Sequence, residues 1–160
     1  MATMDFLEKV RIFHGLNDDQ LNKVDTCCEE AEYSRGDRLF KDGETAGYIY
    51  FLVDGKVDLR FDLPGRETSE ENNVTSIQPG QTFGWSSLVP SNIYSLSSYA
   101  ASRVVKVIRA KRECLLKLFE SDPAMGHVVM TNLAEVISTR FGQLQSDVAR
   151  RKGHDIMNNW

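Results

Sequence analysis

Hydrophobic positions recur at helical spacing towards both ends of this chain and at short, strand-like spacing through its middle. Near the start, Phe6, Leu7 and Val10 share one helical face before His14 and Gly15 interrupt the pattern. Asn17 followed by Gln20 predicts a capped second helix that carries Leu21 and Val24 on one face. Its end is expected within the acidic stretch Glu29, Glu30 and Glu32, with the pattern changing at Tyr33.

From Gly36 to Gly84 glycines come too often for a long helix, and the apolar residues between them alternate or run in short β-type groups. An all-β core is predicted. The run YIYFLVDGKVDLRF from Tyr48 to Phe61 reads as two strands joined by Asp54-Gly55, a dipeptide that tolerates the positive φ of a tight hairpin turn. Pro64 to Asn73 lacks apolar periodicity and reads as an exposed loop. Val74 to Ile77 is the next strand, Pro79-Gly80 a turn, and Phe83-Gly84 a tight backbone approach. Tyr94 to Ala101 with Val104 to Ile108 then reads as a closing strand pair.

Helical spacing returns after Ala110. Cys114, Leu115, Leu118 and Phe119 share a face, and Asp122-Pro123 breaks the helix. In the long helix that follows, Met130, Ala134, Ile137, Phe141, Leu144 and Val148 fall at alternating steps of four and three, the repeat of a coiled-coil seam. A homodimer is the implied partnership. The chain therefore divides into N-terminal helices (1–32), a β core (33–109), C-terminal helices including the dimer helix (110–152) and a tail (153–160). The fold class is mainly β with flanking helices (α+β).

Composition narrows the function. At 160 residues and a formal charge of −4, one domain is expected, and the mild acidity disfavours a nucleic-acid surface. The basic group Arg150, Arg151 and Lys152 is as well explained by a solvated helix end as by a phosphate contact. Too few residues follow Ala149 for a helix-turn-helix, so direct sequence-specific DNA binding is not expected. No apolar run is long enough to span a membrane, and MATMDFLEKVRIF does not read as a signal peptide, so a cytoplasmic setting is expected. Cys27, Cys28 and Cys114 fit neither a zinc spacing nor a disulfide framework and are expected to be reduced thiols. His14, His127 and His154 stand apart, and no nucleophile or phosphate-cradling motif occurs, so neither an enzyme nor a metal site is expected.

The words FHGLNDDQL (13–21), YSRGDRLFKDGE (33–44), YIYFLVDGKVDL (48–59) and IQPGQTFG (77–84), followed by the helix from Ala110 to Pro123, resemble the cyclic nucleotide-binding domain family in order and spacing. The likeness runs over about residues 10–145. It implies a double-stranded β-helix, a jelly-roll-like β-roll, with N-terminal helices and a long C-terminal dimerisation helix, acting as a regulatory, ligand-sensing module.

The resemblance also implies where a ligand would sit. In the family a short turn after Phe-Gly carries a Glu for the ribose hydroxyl, and an Arg further on pairs the cyclic phosphate. Here Phe83-Gly84 matches, Trp85 replaces the Glu, Leu88 fits an apolar position, Tyr94 replaces the Arg and Ser95 takes the small residue's place. The candidate pocket is thus Phe83, Gly84, Trp85, Ser86, Ser87, Leu88, Tyr94 and Ser95. Backbone N–H groups of Trp85, Ser86 and Ser87 still favour an anion, while Arg60 and Arg103 are spare cations that either rescue phosphate pairing or face solvent. With both charges gone, weak binding of cAMP or cGMP is expected. Trp85 and Tyr94 either wall a pocket for another small molecule or fill it, leaving a ligand-free dimeric scaffold that docks a signalling partner.

Overall fold

The computed structural model describes residues 2–62 and 72–158, with side chains described for 3–62 and 72–153. Helix α1 (Ala2–Lys9), a 3-10 turn (Arg11–Phe13) and helix α2 (Asp18–Asp25) lead into eight strands among the described residues. These are β1 (Cys28–Ser34), β2 (Arg38–Phe40), β3 (Tyr48–Asp54), β4 (Val57–Arg60), β5 (Asn73–Ile77), β6 (Thr82–Phe83), β7 (Ser97–Ala100) and β8 (Val104–Lys111). Helices α3 (Arg112–Ser121) and α4 (Pro123–Asn158) follow.

The predicted capping box starts α2: Asn17 Oδ1 accepts from the Gln20 N–H at 2.8 Å, and Gln20 Oε1 accepts from the Asn17 N–H at 3.0 Å. The helix stops at Asp25, earlier than expected. The acidic stretch Glu29, Glu30 and Glu32 belongs to β1, because pairing of Cys28–Ser34 with Ala110–Val104 claims its backbone. Most of the stretch Pro64 to Asn73 lies outside the described residues; β5 begins at Asn73.

The strands form two antiparallel sheets ordered β1-β8-β3-β6 and β2-β7-β4-β5. This corrects both strand pairs expected from sequence. β3 and β4, joined through Asp54-Gly55, lie in different sheets, as do β7 and β8. Gly55 does take a positive φ of +96°, but its turn crosses from sheet to sheet, and a Cβ there would meet the Val104 carbonyl oxygen at 2.4 Å. The dipeptide sets the positive φ of the turn, whereas long-range pairing sets the partner of each strand.

Strand β3 explains the architecture. Ile49 and Phe51 pack outward with Leu7, Phe13, Ile108 and Leu115 beneath the helices, while Tyr50 and Leu52 point into the roll with Val57, Phe83 and Val107. Burial on both faces is why the strand reads as a continuous apolar run.

Cys27 and Cys114 form a disulfide, which corrects the expectation of three reduced thiols. The register Cys28↔Ala110 brings the end of α2 to the first turn of α3, and the two Cα atoms stand 5.5 Å apart. Sequence spacing carries no trace of that meeting. Cys28 stays free; its Sγ donates to the Val24 carbonyl at 3.3 Å, and burial, with Asp25 nearby, pushes its pKa up to about 12.

Asp122-Pro123 separates α3 from α4 as expected, and α4 continues to Asn158, into the segment expected to be a tail. Its 36 residues make a rod of about 54 Å at ~1.5 Å per residue. Met125, Val129 and Leu133 bury against the N-terminal helices, a core-facing stripe offset from the predicted seam. Among the seam residues Ile137 joins that packing, whereas Ala134, Met130, Phe141, Leu144 and Val148 are exposed. Among the described residues no helix is long and apolar enough to cross a membrane.

Candidate functional site

The roll opens towards α4 at the turn that follows β6. Gly84 takes a φ of +72°, and a Cβ there would lie 3.1 Å from the Tyr50 ring and 3.3 Å from the Phe40 ring. Glycine suits this point because φ is positive and the two rings leave a Cβ little room. The chain then makes a 3-10 turn over Trp85–Leu88.

Gly84, Trp85, Ser86, Tyr94 and Ser95 line a cavity of about 60 Å³, together with Phe40, Leu59 and Leu96. Three of the expected pocket residues do not. Phe83 is buried in the aromatic interior, 5.2 Å from Tyr50 between ring centroids. Leu88 packs in the opposite core, beneath the helices. Ser87 is fully buried, and both its N–H and its hydroxyl donate to the Gly84 carbonyl, at 3.3 and 3.1 Å. Those groups are occupied, so the turn offers an anion less than its sequence suggests.

Tyr94 lies flat on Phe40, with ring centroids 3.9 Å apart and planes 14° from parallel. Its hydroxyl donates to the Tyr48 carbonyl at 2.7 Å, and burial pushes its pKa up to about 12. Pockets for drug-sized ligands usually span roughly 300–1,000 Å³, so the stack leaves this cavity too small for one. Arg60 and Arg103 do not compensate. Arg60 Nη2 donates to Asp58 Oδ2 at 2.8 Å, and its guanidinium lies over Tyr99 on the far side of the sheet from Leu59. Arg103 is exposed in the β7–β8 connection.

A second, apolar cavity of about 220 Å³ adjoins the first, sharing Leu59, Trp85 and Leu96 as walls. Val74, Ile137, Phe141 and Leu144 complete most of it. Arg140 enters this space from α4, its Cζ 4.6 Å above the Trp85 ring. Phe40, Leu59, Leu96 and Arg140 were missed by sequence reasoning. Arg140 alone had a signal: it continues the Leu133–Val136 stripe, where an apolar residue would be the rule. Among the described residues no cluster of His, Cys, Asp or Glu could hold a metal ion.

Two antiparallel sheets closed into a β-roll, flanked by N-terminal helices and a long C-terminal helix, define the class of fold. The sequence pattern of the cyclic nucleotide-binding domain matches residues 30–122, and the chain belongs to that family. It is 24% identical over 156 residues to human cGMP-dependent protein kinase 2, covering 98% of this chain and 19% of the kinase. A Drosophila melanogaster cGMP-dependent protein kinase is 34% identical over 80 residues, or 50% of this chain and 8% of the kinase. The chain thus matches only a small part of these kinases.

Among solved structures, one described as a cyclic nucleotide-binding protein from Geobacter metallireducens GS-15 superposes with a TM-score of 0.76 at 29% identity, covering 88% of this chain and 99% of that one. The Thermus thermophilus catabolite activator protein has a TM-score of 0.67 at 24% identity, covering 89% of this chain and 63% of that one. The latter likeness concerns fold alone.

Proposed function

We propose that this chain is a non-catalytic, homodimeric sensor that binds cAMP and cGMP weakly and responds to a different small molecule. One observation carries the reading: Tyr94, at the position where the family pattern has its phosphate-pairing Arg, lies stacked on Phe40 beside a cavity of only about 60 Å³. Loss of a charge partner for a buried phosphate costs on the order of 3–4 kcal/mol, about two to three decades in affinity. Calorimetry with cAMP and cGMP tests it. Dissociation constants well above the low micromolar range are expected, and a low micromolar value for either nucleotide refutes the reading.

Dimerisation through α4 is supported by the exposed apolar strip Met130, Phe141, Leu144 and Val148. Sedimentation at tens of micromolar should give a dimer and Phe141→Glu a monomer; a monomeric wild type overturns this part. The filled cavity also favours a second reading, a ligand-free scaffold for a partner protein. A metabolite screen by Trp85 fluorescence separates the two, since only the sensor responds.

A further inference from the structure

Arg140 is a cation in a place built for apolar side chains. It follows Leu133 and Val136 on the core-facing stripe of α4 and reaches the groove against Trp85. Its Nη1 is buried and has no hydrogen-bond partner among the described residues. Burial lowers its pKa to about 10, which leaves it charged at pH 7. The carboxylates nearest along the helix are engaged elsewhere. Glu135 Oε2 accepts from Arg11 Nη2 at 2.5 Å, and Asp147 Oδ1 accepts from Arg150 Nη2 at 2.8 Å. Arg140 as a whole is only partly buried, but a charge with one buried, unpartnered nitrogen is stabilised by an anion brought to it.

The space beside it specifies the rest of that anion. Leu59, Val74, Leu96, Ile137, Phe141 and Leu144 supply apolar walls around about 220 Å³. Thr75 and Gln143 add neutral polar edges, and Asp147 is the acid on the wall. One cation facing one carboxylate suits a monoanion; a dianionic phosphate would need a second positive partner. The volume falls just below that of pockets for drug-sized ligands, so the body must be compact.

We propose that the groove between Trp85 and α4 binds a small amphipathic carboxylate, its charged group on Arg140 and its apolar body against Trp85, Leu96 and Phe141. This rests on the sensor reading and names the class of ligand. A second copy of α4 seated on the exposed Phe141 would close the groove from outside.

The test titrates the Trp160→Phe chain with 4-phenylbutyrate and hexanoate, with neutral 4-phenylbutanol as control, following Trp85 fluorescence and heat. Trp160 lies outside the described residues, and its replacement leaves Trp85 as the reporter. Both acids should bind saturably, with 4-phenylbutyrate about tenfold or more tighter than the alcohol. Arg140→Gln should bring the acid to the level of the alcohol. Arg140→Lys, which keeps the charge, should retain part of the preference, and melting curves show whether each variant folds. Equal binding of acid and alcohol, a preference that survives Arg140→Gln, or no saturable signal from either acid overturns the proposal. Those outcomes leave the sensor reading's own test, weak cAMP binding, untouched.

Discussion

Restoring the charges at positions 85 and 94 tests alignment and mechanism together. In the double variant Trp85→Glu, Tyr94→Arg, removal of the tyrosine forfeits its stack on Phe40, worth about 0.5–1.5 kcal/mol. The hydrogen bond to the Tyr48 carbonyl adds a further ~0.5–1.5 kcal/mol. At position 85 the Arg140 cation–π contact is lost, but the new carboxylate lies near the same guanidinium and offsets much of that change. A net destabilisation of about 1–3 kcal/mol predicts a melting point lower by roughly 3–10 °C. Against this stands a phosphate partner worth about two to three decades in cyclic-nucleotide affinity. Tyr94→Arg alone should secure only part of the gain, because it leaves the ribose unread. Trp85→Glu alone should secure none, because its carboxylate repels the phosphate and Arg140 competes for it. The affinity gains should therefore be non-additive. Calorimetry with cAMP and a thermal melt read both quantities. A double variant that melts as one folded species yet binds cAMP no better than wild type would refute the placement of these residues at the ligand, or the claim that charge loss weakens binding.

Reduction or Cys27→Ala should each lower stability by about 2–4 kcal/mol, since the bridge closes a long loop across a sequence separation of 87. Urea unfolding with and without reductant checks this: the variant should lose all sensitivity to reductant, and an insensitive wild type would show that the bridge is not formed. Gly55→Ala should cost at least about 2 kcal/mol, because φ is +96° and the added Cβ would stand 2.6 Å from Ser102 Oγ and closer still to a backbone oxygen. Gly47→Ala, which meets nothing within 4 Å, serves as the control and should stay within about ±0.5 kcal/mol.

What the chain discloses before folding follows the range of the interaction. The Asn17–Gln20 box, the turn at Gly55 and the break at Asp122-Pro123 are decided by residues a few positions apart, and all are legible. Which strand Val57–Arg60 joins is decided by Ser97–Ala100, some forty positions away, and a turn dipeptide cannot encode it. The site divides in the same way. Glycine at 84 and the missing Glu and Arg could be read from local words, but the stacking of Tyr94 needs Phe40, placed there by the pairing of β2 with β7. The disulfide likewise needs the β1–β8 register.

Phe141 and Leu144 belong both to the groove beside Arg140 and to the exposed strip through which two copies would meet. In the proposed dimer with the proposed ligand, that shared ownership would couple the two without any catalytic group. A ligand in the groove contacts the inward side of these side chains, and a second helix contacts the outward side, so neither can bind without altering what the other sees. Linkage makes the coupling reciprocal: whatever factor dimerisation adds to ligand affinity at a site, occupancy of that site returns to dimer affinity. An empty groove leaves the Arg140 Nη1 without a partner among the described residues. An occupied one presents a filled surface to the partner helix. With the roll interior filled at Tyr94, the open groove at Arg140 is where, in the proposed dimer, ligand binding would be felt by a second copy.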